Sequence, residues 1–161
     1  MSRNFDKKSQ LITSDAYPQM MSRQGGAQAV QTLRSPQATT NAQSAIEACV
    51  PAMRKAILQY VDELEKAEGD MATVFARAHE IRGFAETAGL VTTGRIAEIL
   101  CRYMDDMERI KRPLDQTLVA LNIAAIGRAA RTEDTDPTMG EVVATELTAL
   151  IARRLADAGL A

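Results

Sequence analysis

A chain of 161 residues is long enough for one domain with a proper core, and length alone gives little support for two. Apolar residues make up 46% of it, aromatics only 4%, and Trp is absent, so Ala, Leu, Ile and Met carry the hydrophobic content and no β-branched or aromatic runs remain to build strands. A net charge of −2 and a pI near 5.5, with both signs interspersed, leave nucleic-acid binding without an electrostatic footprint.

Residues 1–43 are rich in Ser, Gln, Thr, Gly and Asn, with Gly25-Gly26 and Ser35-Pro36 as breakers, and read as a flexible or disordered leader. Within it only a weak helix over 27–33 suggests itself. The first ten residues are polar and charged, without the apolar region of a signal peptide. From Ala45 the pattern turns helical, and 44–161 reads as one helical bundle. Ile46, Val50, Met53, Ile57, Val61 and Leu64 form the first stripe, with Pro51 marking either a start or a kink. Gly69-Asp70 breaks the chain, and Asp70 suits the N-cap of a second helix over 71–88. The core stripe of that helix is Met71, Val74, Phe75, Ala78, Ile81 and Ala85, and Gly89 suits its C-terminal cap.

Thr92 or Thr93 caps a third helix carrying Ile96, Ile99, Leu100, Tyr103, Met107 and Ile110, which Arg112-Pro113 ends. A fourth, over 114–130, carries Leu118, Leu121, Ala125 and Ile126. An acidic loop over 132–137 leads to a last helix over 139–158 with Val143, Leu147, Leu150, Ile151 and Leu155. Such stripes must bury against one another. The expected fold is all-α: an antiparallel four-helix-bundle core with an additional helix and the N-terminal leader.

No stretch approaches the roughly 18 consecutive apolar residues of a membrane span. Cys49 and Cys101 lack CxxC or other metal-ligand spacing, and one histidine makes no His/Cys cluster. Buried free thiols in a reducing cytoplasm are expected, with no metal site and no membrane partner.

The chemistry concentrates in one stretch of the second helix, from His79 to Leu90. At ~100° per residue His79 lies roughly 120° from the centre of the core stripe, at the boundary with solvent. Ala72, Phe75, Ala76, Arg82, Gly83 and Glu86 share its face. Gly83 inside a helix costs about 1 kcal/mol relative to Ala, and open access to the imidazole is a reason for it. Ala72 and Ala76 keep the other side low. Arg82, one turn along, supplies a permanent charge and donors suited to a phosphoryl group.

His79, Ile81, Arg82, Gly83 and Gly89 together resemble the signature of histidine phosphotransfer domains: a His, an aliphatic, a basic residue, a Gly and a later second Gly. The resemblance spans 45–158. It departs from the pattern at Arg82, where Lys is usual, and at Phe84, where a small residue is usual. Phe84 falls on the flank opposite His79, where it either packs on a neighbouring helix or widens an interaction surface. The resemblance implies a phosphocarrier in a two-component relay, with His79 as acceptor, Arg82 stabilising the phosphoryl group and Gly83 leaving access. It further implies response-regulator receiver domains and a hybrid histidine kinase as partners, a monomer, and no cofactor of its own, since Mg²⁺ belongs to the receiver. The implied docking surface comprises Ala72, Phe75, Ala76, Phe84 and Glu86 with Cys101, Arg102 and Asp105 from the third helix.

His79-Glu80-Ile81-Arg82 is also similar to the phosphoacceptor box of sensor histidine kinases, but the chain after Arg112 holds no Gly-rich nucleotide loop. The competing reading is a non-catalytic helical module that sequesters a signalling partner. A small helical enzyme has less support, because no triad or paired-carboxylate arrangement is recognisable.

Overall fold

The computed structural model describes residues 23–67, 69–132 and 137–159. These form six α-helices: α1 (Arg23–Leu33), α2 (Pro36–Lys66), α3 (Met71–Ala85), α4 (Val91–Arg109), α5 (Gln116–Thr132) and α6 (Pro137–Asp157). The described residues contain no strand, and the protein is an all-α bundle. None of the helices is long and apolar enough to cross a membrane.

The chain divides into two compact units after Ser44, a point that lies within α2. The described part of the first, where only a weak helix over 27–33 was expected, is largely helical. Residues 23–33 are helical, and helix resumes at Pro36; residues 1–22 lie outside the described ones. Ser35-Pro36 is indeed a break, but it also starts the next helix. The Ser35 hydroxyl accepts from the Ala38 N–H at 3.2 Å, and Pro36 occupies a first-turn position where no N–H is needed. Polar composition left α1 only weakly legible and hid the start of α2, because no sustained apolar stripe accompanies them. Pro51 neither starts nor ends α2: the helix runs through it, at the loss of one backbone hydrogen bond.

In the second unit, α3 begins at Asp70. Its carboxylate accepts from the Ala72 and Thr73 N–H groups and from the Thr73 hydroxyl at 2.6 Å. The Thr73 hydroxyl foremost, then the backbone donors, hold this carboxyl below its ordinary value of 3.8. A carboxylate with a depressed folded pKa stabilises fully above the unfolded value and loses that effect as pH falls through the folded one. Asp70→Ala is therefore expected to lower Tm at neutral pH, with the deficit shrinking on acidification below about pH 4. Thermal melts of both chains across pH check this, and a deficit independent of pH counts against the cap.

The end of α3 is a six-to-one turn. The Leu90 N–H reaches the Ala85 carbonyl at 2.8 Å, and Gly89 sits at φ +73°, a conformation costly for other residues. The chain then returns as α4 alongside α3, where Gly94 permits the approach: a Cβ there would lie 3.0 Å from that of Ala85. Thr92 and Thr93 do not cap α4. Leu90 occupies the cap position without a side-chain hydrogen bond, and both threonines are buried in the first turn. The far end of α4 comes at Arg109, with Lys111 at φ +54°.

Helix α4 is central, packing against α3, α5 and α6. Ile96, Ala97, Leu100, Cys101, Tyr103, Met104 and Met107 are all buried along it. Ile57, Val61 and Leu64 join the core from α2, and Val74, Ala78, Ile81 and Ala85 from α3. The Arg54 guanidinium donates to the Ala88 carbonyl at 2.8 Å, and Arg77 pairs with Glu63, so α2 and α3 run antiparallel. The Asp115 N–H donates to the Tyr103 hydroxyl, and its carboxylate caps α5 through the Thr117 and Leu118 N–H groups.

Several residues assigned to the core stripes are exposed: Ile46, Leu121 (46%) and Leu150. On α5 the buried arc instead takes in Val119 and Asn122, whose side-chain amide donates to the Leu118 carbonyl at 2.7 Å. That bond pairs the amide donor, while the buried Oδ1 has no hydrogen-bond partner among the described residues. Cys49 is likewise exposed rather than buried, whereas Cys101 is buried, and both are free thiols. The expected acidic loop falls largely on 133–136, outside the described residues.

Candidate functional site

His79 sits on the solvent side of α3, where its phase placed it. Two neighbours on its own helix bracket the imidazole. Phe75, one turn before, lies with ring centroids 6.1 Å apart and planes inclined by 30°. Arg82, one turn after, places Nη2 at 3.3 Å from His79 Nδ1. Gly83 completes the face, and a Cβ on it would meet nothing within 4 Å. Close packing of a neighbouring helix therefore does not account for this glycine, whose position opens the approach to the ring. Ala72, Ala76 and Glu86 are all exposed on the same helix, while Glu80 is half-buried.

Arg82 is half-buried on the flank of α3 that faces α4. Behind it lies Cys101. Burial pushes this thiol up to about 11; the positive charge of Arg82 pulls the other way, and Asp105 and Glu98 add to the rise. Cys101 therefore stays a neutral thiol at physiological pH.

The α4 part of the expected docking surface needs correction. Cys101 is fully buried and offers nothing to a partner. Arg102 pairs with Glu98 at 2.7 Å and lines a shallow groove against Ile151 and Leu155 of α6, away from the side of α4 that packs on α3. Asp105 is exposed and near enough to Cys101 to act on its thiol electrostatically. Phe84 lies off the His79 face, on the flank where its phase put it. It is 44% exposed and borders an apolar groove with Cys49, Ala52, Met53, Ala56 and Tyr60 of α2. Its opposite phase from Arg82 puts it on the other flank of α3.

The structure thus brings together His79, Arg82, Gly83 and Phe75, with Ala72 and Ala76 low beside them. Phase alone did not show that Phe75 packs on the imidazole itself; its spacing four residues before His79 was the available signal. Among the described residues no three His, Cys, Asp or Glu side chains gather as a metal-ligand group. No protein-family model, no curated protein and no solved structure matches the chain.

Proposed function

We propose that this chain is a histidine phosphotransfer protein, in which His79 takes a phosphoryl group from the aspartate of one receiver domain and passes it to another. The observation that carries this reading is the exposed imidazole held between Phe75 and Arg82, with open space over Gly83. A neutral ring nitrogen is a competent nucleophile at physiological pH. Its lone pair attacks phosphorus, the N–P bond forms as the aspartyl P–O bond breaks, and the electron pair leaves on the aspartate carboxylate. The proton on the other ring nitrogen passes to water.

Phosphoryl transfer depends on in-line positioning and charge neutralisation more than on covalent help from the protein. Arg82 supplies charge and hydrogen bonds to the phosphoryl oxygens, and Gly83 leaves room for the partner. Mg²⁺ in this scheme belongs to the receiver. The partners are response-regulator receivers and a hybrid histidine kinase, the chain works as a monomer, and the relay operates in the cytoplasm.

The test is to incubate the chain with a receiver domain labelled on its aspartate. Transfer of acid-labile, base-stable phosphate to this chain is expected. Failure to label with any receiver tried favours the competing reading, a helical module that only sequesters its partner.

Gly83 yields a prediction in which stability and activity move in opposite directions. Gly83→Ala raises stability by about 0.5–1 kcal/mol, because a helix-interior glycine carries excess entropy and nothing obstructs the new methyl. The same methyl stands on the approach to His79 and slows phosphoryl uptake severalfold. Denaturant melts and initial transfer rates read the two effects separately. An uptake rate unchanged by both Ala and Leu at this position removes the access role.

A further inference from the structure

A helical side chain leans back over the turn before it, so the His79 imidazole finds its support at positions 75 and 76. Ala76 offers a single methyl, and the space over Gly83 on the following turn is open. Phe75 is therefore the neighbour that can hold the ring from behind. Its ring centroid lies 6.1 Å from that of His79, with the planes inclined by 30°, a separation at which aromatic rings attract. Phe75 is itself half-buried and packs against the hydrophobic core, so it joins an exposed ring to a close-packed interior. An exposed side chain without such a contact spreads over several rotamers.

We propose that Phe75 is a positioning residue, which holds the His79 imidazole in the orientation where the aspartyl phosphate of a docked receiver meets it in line. The Phe75–His79 contact is a property of the chain alone, while its use in positioning rests on the phosphotransfer reading. Phosphoryl transfer draws much of its rate from alignment, and rotamers that turn the ring elsewhere are lost to the reaction. Phe75 acts through His79 and not through the partner. Its effect falls on the rate within the docked complex and leaves docking itself unchanged.

Two variants separate the ring from its bulk: Phe75→Leu keeps an apolar side chain against the core, and Phe75→Tyr keeps the ring. Uptake from a receiver labelled on its aspartate is followed against receiver concentration. In Phe75→Leu the maximal rate is expected to fall by about 2- to 10-fold, the range that one aromatic pair is worth, at an unchanged half-saturating concentration. Phe75→Tyr is expected to stay near wild type. Phosphoramidate, a small donor free to approach from any side, should label all three chains at similar rates. In the wild-type protein, nuclear Overhauser contacts are expected between the ring protons of Phe75 and those of His79, which one histidine makes unambiguous.

Equal maximal rates in the wild type and Phe75→Leu overturn the positioning role and leave the relay reading in place. A rise in the half-saturating concentration alone also overturns it, because Phe75 then acts in docking. Equal slowing with phosphoramidate does the same, because the loss is then one of reactivity and not of alignment. Absence of the Overhauser contact removes the support under the ring, and that measurement needs no variant. A wild-type chain that takes phosphate from phosphoramidate but from no receiver sinks the relay reading, and the positioning role with it.

Discussion

His79→Gln is expected to abolish phosphoryl uptake from a labelled receiver and to leave the fold unchanged. Glutamine has no nucleophilic nitrogen, since its amide lone pair is delocalised into the carbonyl, and the chain has no second histidine to take over. The side chain is exposed on α3, outside the core, so the substitution belongs with surface changes that alter stability by less than about 0.5 kcal/mol. The Gln carbonyl oxygen can still accept from Arg82. Acid-labile label should fall to the background of a no-receiver control, while the melting curve superimposes on wild type. Label persisting in the variant assigns the acceptor to another residue. A large fall in stability would show that His79 is structural, and the loss of uptake would then be uninformative about chemistry.

How much of this site was legible in the sequence depends on which helix carries each residue. Helix α3 has core neighbours on part of its circumference only, so a single stripe through Val74, Ala78, Ile81 and Ala85 fixes its phase, and His79, Arg82 and Gly83 fall where that phase puts them. Helix α4 has neighbours on three sides. Height along α4 was legible but the side was not: Cys101 fits the expected buried thiol and is core, so it does not also belong to the docking surface the resemblance implied. Arg102 was misplaced for the same reason: the sequence gives no sign of which neighbour, α3 or α6, lies on each side.

Helix α5 shows a different limit. Its buried arc contains Asn122 and Gly127 while the larger Leu121 is outside. A pattern built on hydrophobic size misses an arc whose polar member is buried with only its amide donor bonded, to the preceding turn. Of the helix over 23–44, only a weak segment at 27–33 was legible, because propensity and capping, not a sustained apolar stripe, produce it. The all-α class was legible because it needs only composition and period; the neighbours of each face were not, because they are set by tertiary packing.

Ile81 lies within the same motif as His79, and Ile81→Ala should behave in the opposite way. Its side chain is fully buried among residues of the central core. Truncation removes three carbons' worth of apolar burial and leaves a cavity that the surrounding helices fill only in part, a cost of about 2–5 kcal/mol. Against a total stability typical of domains, about 5–15 kcal/mol, that is a large fraction. Urea unfolding should show a lower midpoint at unchanged slope, the signature of lost stability without a change in the denatured state. Under conditions where the variant is still folded, phosphoryl uptake per folded molecule should remain near wild type, since Ile81 points away from the imidazole. A cost below about 1 kcal/mol would contradict its core placement. Loss of uptake at full stability would mean that Ile81 shapes the site and not only the bundle. The motif thus separates physically into positions that hold α3 in place, Ile81 with the Gly89 turn, and the positions outside the core to which the proposed transfer assigns the phosphoryl group, His79, Arg82 and Gly83.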